Sequence, residues 1–133
     1  MNDISKLEPL HEARAWLAHI VSTLKGYNFN YTNENDLQNG IRQVFETMDA
    51  PFESEYRLSD KDRIDFYWPK SKIGVEVKID HALSALTRQV HRYVQHDSIE
   101  GLLIVSGKVR LNAVPQIISG KPVQIHSLIG SLL

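Results

Sequence analysis

Arg63-Ile64-Asp65-Phe66-Tyr67-Trp68-Pro69-Lys70-Ser71-Lys72-Ile73-Gly74-Val75-Glu76-Val77-Lys78-Ile79 alternates apolar and polar side chains on either side of a proline. Ile64, Phe66 and Trp68 oppose Arg63, Asp65 and Tyr67, and after Pro69 the set Ile73, Val75, Val77 and Ile79 opposes Gly74, Glu76 and Lys78. A period of two over 63–68 and 73–79 predicts two half-buried β-strands, and the short connection predicts that they pair as a hairpin. Upstream, Phe52, Tyr56 and Leu58 oppose Glu53, Glu55 and Arg57, with a Ser59-Asp60 turn leading on, so the three segments form an antiparallel meander.

Outward from the meander the period lengthens. Leu10, Ala13, Trp16, Leu17, Ile20 and Leu24 fall at helical spacing over 9–24, ended by Gly26. Leu37, Ile41, Val44, Phe45 and Met48 mark a second helix over 34–48, capped by Thr32 or Asn33. A third, over 82–96, turns Leu83, Leu86, Val90, Tyr93 and Val94 inward. Gly101-Leu102-Leu103-Ile104-Val105 is apolar throughout, the mark of a strand buried on both faces, and its position after a helix predicts parallel pairing. A short helix over 112–118 and a strand over 123–126 complete the chain. The expectation is one α/β domain over residues 1–133, with a mixed sheet of about four to five strands flanked by helices.

The chain has 133 residues, 42% hydrophobic and 23% charged, enough for one core. It has no cysteine, which removes disulfides and thiolate metal sites and suits a reducing cytoplasm. No apolar run approaches a membrane span, and the first ten residues lack the basic and apolar pattern of a leader, so a cytoplasmic protein without membrane contact is expected. The net charge of −1 argues against coating nucleic acid by bulk electrostatics. Residues 61–110, however, hold nine Lys or Arg against six Asp or Glu. Such a stretch suits an enzyme that touches a few phosphates, and equally an ordinary mixed surface.

Glu-x-Lys alone means nothing, but here strand alternation puts Glu76 and Lys78 on one face, and a hairpin brings Asp65 to them. Carboxylates of Asp65 and Glu76, with a strand carbonyl such as that of Val77, are hard oxygen ligands suited to Mg²⁺, for which Mn²⁺ can substitute. The metal acidifies a water and polarises a phosphate, while Lys78 supplies positive charge beside them.

Asp62-Arg63-Ile64-Asp65-Phe66, ten residues after Asp65, and Gly74-Val75-Glu76-Val77-Lys78-Ile79 together resemble the PD-(D/E)XK nuclease superfamily. The departure is Ile64 in place of proline before the aspartate. The resemblance implies a restriction-endonuclease-like core, phosphodiester hydrolysis and a DNA partner. Gln89-Val90-His91-Arg92-Tyr93 is similar to the Q-x-x-x-Y motif of exonuclease-like members, which implies that Gln89 and Tyr93 touch the ligand network or a substrate phosphate; a core tyrosine beside an incidental glutamine is the plain alternative. Arg88 and Arg92, four apart, either grip the backbone or are solvated helix charges. Many members carry an early acidic residue, for which Glu34 and Asp36 compete. If Asn33 caps the helix, capping already explains Asp36, which favours Glu34.

The histidines lack zinc-protease spacing and no Gly-rich phosphate loop is present. The expected function is thus a Mg²⁺-dependent deoxyribonuclease, structure-selective or end-acting, of phage or mobile-element type. It would work as a homodimer or within a larger nucleoprotein assembly. The alternative is a catalytically idle nucleic-acid-binding or assembly module of the same fold.

Overall fold

The computed structural model describes residues 8–107 and 117–128. Its meander consists of β1 (Glu53–Arg57), β2 (Arg63–Trp68) and β3 (Ile73–Lys78), paired antiparallel with Ser54 opposite Phe66 and Phe66 opposite Val75. Helix α3 (Leu83–Val94) carries the chain over to β4 (Gly101–Ser106), which lies parallel to β3 with Glu76 opposite Ile104. The short β5 (Ile117–Ile118) turns back onto β6 (Lys121–Ser127), which is parallel to β4. The mixed sheet therefore has six strands in the order β1-β2-β3-β4-β6-β5. Helices α1 (Glu8–Lys25) and α2 (Glu34–Glu46) precede it.

The helices sandwich the sheet. Leu17, Ile20 and Leu24 of α1 and Leu37, Ile41 and Phe45 of α2 bury one face against Phe66, Trp68, Val75, Val77, Leu103 and Val105. On the other face, Leu86, Val90, Tyr93 and Val94 of α3 meet Ile64, Leu102, Ile104 and Val123. β4 is buried at every position, as a central parallel strand covered on both faces must be. Each large apolar side chain so enclosed contributes roughly 1.5–3 kcal/mol. Gly74 lets the second face close: a Cβ there would run into the Ile64 side chain and stand 3.0 Å from Ile99 Cδ1. Among the described residues no helix is long and apolar enough to cross a membrane.

Several expectations need correction. The sixth strand, β5, falls where the sequence predicts the end of a helix over 112–118; residues 112–116 lie outside the described residues. A two-residue strand has no periodicity to read. Its signature is the Ser119-Gly120 pair, whose φ angles of 53° and 75° make the tight reversal onto β6. Leu83, expected to face inward, is 41% exposed as the first residue of α3, directly after the N-cap Ala82. The Leu10 side chain lies outside those described.

The larger correction concerns the strands themselves. Phe66 and Trp68 pack beneath α1 and α2, whereas Ile64 packs beneath α3. Phe52 likewise belongs to the first face, and Tyr56 and Leu58 to the second. Pairing keeps one register throughout, from Ser54 with Phe66 to Tyr56 with Ile64, so β1 and β2 roll over together between those pairs. The residues at the roll are Glu55, whose φ is 51°, and Asp65.

Candidate active site

The roll decides where Asp65 points. Regular alternation would set its side chain on the α3 face beside Tyr67. Instead the β2–β3 ladder stops at Phe66 opposite Val75, and side chains replace the next backbone bonds. The Val77 N–H donates to Asp65 Oδ2 at 2.7 Å, and the Asp65 N–H donates to Glu76 Oε1 at 3.2 Å. Each carboxylate thus reaches across to the backbone of the other strand. Because N–H and C=O of one strand residue point to the same side, the Val77 carbonyl faces the same gap.

Glu76 is 4% exposed. Its second oxygen, Oε2, stands 3.4 Å from Lys78 Nζ and 3.5 Å from the Tyr93 hydroxyl. Asp65 and Glu76 thus meet around Lys78, which remains partly open to solvent.

Helix α2 brings a third carboxylate. Asn33 is the N-cap, its side chain accepting from the Asp36 N–H at 2.8 Å, and Asp36 Oδ2 in turn accepts from the Thr32 hydroxyl at 2.7 Å. Capping therefore occupies Asp36 and holds its carboxyl below the usual range through the Thr32 bonds. Glu34, one residue past the cap, is half-buried within electrostatic reach of both Lys78 and Asp65. Burial pushes the Glu34 carboxyl up, Asp65 adds to this, and Lys78 opposes it. Burial likewise raises Asp65 against the Val77 bond and the Lys78 charge, with Glu55 adding to the rise. Glu76 is pushed up to about 8, first by burial and then by the negative charge of Asp65.

Helix α3 closes the site from the other side. Gln89 Nε2 donates to the Tyr93 hydroxyl at 2.8 Å, and that hydroxyl donates to the Arg63 carbonyl at 3.0 Å. The Q-x-x-x-Y pair is thus a connected unit reaching β2 and the edge of Glu76. Arg92 and Arg88 sit in different surroundings. Arg92 Nε donates to Asp62 Oδ1 at 2.6 Å, and its guanidinium lies 5.6 Å from the Tyr93 ring centroid. Arg88 is exposed and makes no hydrogen bond or ion pair among the described residues.

Asp62 is a residue the sequence reading passed over. It is 4% exposed, with Arg92 on one oxygen and His96 Nε2 at 2.9 Å from the other. Burial alone would raise its carboxyl, but the His96 and Arg92 bonds outweigh it and leave it below the ordinary value. Asp62 ties the end of α3 to the start of β2, a long-range pairing that no local pattern reveals. Glu55 reads in the sequence as a surface carboxylate, and more weakly as one that orients the site; its left-handed backbone at the roll is what sets it apart.

The donor set suits a hard divalent cation. Glu76 is a buried carboxylate whose proton is held by burial and by the charge of half-buried Asp65 beside it, a repulsion that a cation would relieve, and a Val77 carbonyl stands by. Among the described residues there is no cluster of three or more Asp, Glu, His or Cys side chains arranged to hold a metal ion. Two carboxylates with solvent filling the remaining positions match Mg²⁺, which keeps several of its waters. No protein family, curated protein or solved structure matches the chain.

Proposed function

We propose that the chain is a Mg²⁺-dependent nuclease of the PD-(D/E)XK type, hydrolysing DNA phosphodiester bonds at Asp65, Glu76 and Lys78. The observation that carries this reading is the reciprocal exchange at the end of the β2–β3 ladder. It gathers a buried and a half-buried carboxylate beside one ammonium group, at a sheet end reached by Glu34 and by the Gln89–Tyr93 pair. Carboxylates placed only to stabilise a fold are better left exposed or matched one to one with cations.

Asp65, Glu76 and the Val77 carbonyl would hold the metal, which when bound supplies Lewis-acid polarisation of the phosphate and a more acidic water. Hydrolysis adds a water oxygen to phosphorus as the bond to the leaving oxygen breaks, while one proton leaves the water and one reaches the leaving group. Lys78 offsets the negative charge that builds on the phosphoryl oxygens, and it is held in place by Glu76. Glu34, raised by burial, is placed to take or orient a water proton. The Gln89–Tyr93–Arg63 chain of hydrogen bonds fixes the α3 wall against β2, so the Glu76 carboxylate keeps its orientation.

The test is cleavage of supercoiled, linear, single-stranded and branched DNA with Mg²⁺, Mn²⁺ or EDTA. Lys78→Ala and Asp65→Asn run alongside; the asparagine keeps an oxygen for the Val77 N–H. Metal-dependent cleavage absent from both variants is expected. A wild-type protein that binds DNA but neither cleaves it nor takes up metal would turn the reading to a binding module.

A further inference from the structure

Beside Lys78, along the outer side of α3, lies a cavity of about 330 Å³ lined by Lys78, His81, Ala85, Leu86, Arg88, Gln89 and Arg92. Its lining includes three cationic side chains and no carboxylate. Its size is at the small end of the roughly 300–1,000 Å³ typical of ligand sites, suited to one nucleotide-sized group and not to a duplex.

The cations differ in how they are held. Arg92 is pre-set: Asp62 fixes its Nε at 2.6 Å and the Tyr93 ring lies against it, leaving the two Nη groups as a fork for an anion. Arg88 is exposed, lines the cavity and has no hydrogen-bond or ion-pair partner among the described residues. Lys78 belongs to both the cavity and the carboxylate centre, so an anion in the cavity would lie next to the reacting phosphate. No Phe, Tyr or Trp lines the cavity, and the His81 imidazole is its one aromatic ring, so stacking on a base is a minor part of what it offers; Ala85 and Leu86 provide only a small apolar wall. Recognition falls on phosphate, independent of sequence.

We propose that this cavity takes the terminal phosphate of a nucleic-acid strand, making the chain a nuclease that selects phosphorylated ends. A terminal monoester carries about −1.5 to −2 charge at neutral pH and presents three acceptor oxygens. That matches a lining with several cations and no acid better than a backbone diester with its single charge. The proposal rests on the nuclease reading above, and the experiment separates the two.

Thymidine 5′-monophosphate, thymidine 3′-monophosphate and thymidine are titrated in EDTA and followed by NMR, with wild type, Arg88→Ala and Arg88→Lys. One monophosphate should bind at least about tenfold tighter than thymidine, with most of that advantage lost in Arg88→Ala and partly kept in Arg88→Lys. Monophosphates binding no better than thymidine, or an Arg88→Ala protein indistinguishable from wild type, would overturn the proposal. In parallel, linear DNA with phosphate or hydroxyl at either end is compared with circular single strands under Mg²⁺. Faster attack on one phosphorylated end supports the proposal. Equal attack on circles and on all ends overturns it while leaving the nuclease reading intact. No cleavage of any DNA, with Arg88-dependent monophosphate binding preserved, would sink the nuclease reading and support the phosphate site alone.

Discussion

Replacing Glu76 by glutamine should make the metal-free protein more stable at pH 8 and flatten its pH dependence, leaving the smaller slope of the same sign from Asp65 and Glu34, which are also raised. Glu76 is 4% exposed and its carboxyl is raised from an ordinary 4.5 to about 8. Between those values the folded chain holds a proton that the unfolded chain has released, so stability falls as pH rises. The contribution is fully present below pH 4.5 and is lost as pH passes through about 8. Each pH unit within the window removes about 1.4 kcal/mol, with a ceiling of about 5 kcal/mol across it, reduced by whatever relaxation lets water in. Glutamine keeps an oxygen for the Asp65 N–H and has no proton to lose. His126 tilts the other way, since burial and Lys25 hold it below its ordinary value and its contribution grows as pH rises through 6.5. Comparing the two proteins cancels that background. The assay is urea unfolding in EDTA from pH 5 to 9. Equal slopes in wild type and Glu76→Gln, or a wild type that gains stability over this range, would refute the reasoning. Adding Mg²⁺ at pH 8 should restore wild-type stability by about 2.7 kcal/mol at a hundredfold excess over its dissociation constant and leave Glu76→Gln nearly unmoved.

Other positions give independent checks. Lys78→Ala should lower cleavage about 10²- to 10³-fold in single-turnover kinetics while calorimetry still detects Mn²⁺ binding. Tyr93→Phe leaves the Arg63 carbonyl without its donor and Gln89 without its acceptor, so urea unfolding should register a loss of about 1–2 kcal/mol. Gly74→Ala forces a methyl group against Ile64 and Ile99 under α3 and should cost about 1–3 kcal/mol; a wild-type melting temperature would contradict the packing described. Glu55→Val places a β-branched side chain at a φ of 51° and should destabilise by about 1–2 kcal/mol, whereas Glu55→Gly should be close to neutral in the same thermal melts.

Much of this architecture is legible in the chain because burial writes itself as periodicity. Apart from Leu83, the apolar positions described on α1, α2 and α3 pack against the sheet, and the unbroken run at Leu102, Leu103, Ile104 and Val105 forms the doubly covered central strand. What periodicity cannot show is a change of phase at one residue. Ile64 and Phe66 look like neighbours on one face, yet the roll at Glu55 and Asp65 sends them to opposite cores. A left-handed glutamate has no signature in sequence, since that backbone position usually selects glycine or asparagine. The carboxylate meeting follows from the hairpin, but its form was not readable: alternation sets Asp65 on a face, whereas the structure bonds it to the Val77 N–H. Asn33 and Asp36 show the reverse case, where a four-residue capping pattern suffices to separate Asp36 from Glu34. Asp62 lies thirty or more residues from both of its partners, beyond any local pattern.

The exchange of bonds between Asp65, Glu76 and Val77 also equips the protein with its own gauge. The amide protons of Asp65 and Val77 each rest on a carboxylate oxygen rather than on a carbonyl. Any cation that draws electron density from those oxygens must weaken the two amide bonds, without disturbing the neighbouring pairs at Phe66 and Val75. A proton–nitrogen correlation spectrum would therefore report occupancy of the centre through two resonances. Their solvent-exchange rates would rise as the centre fills, even in a variant too slow to cut anything.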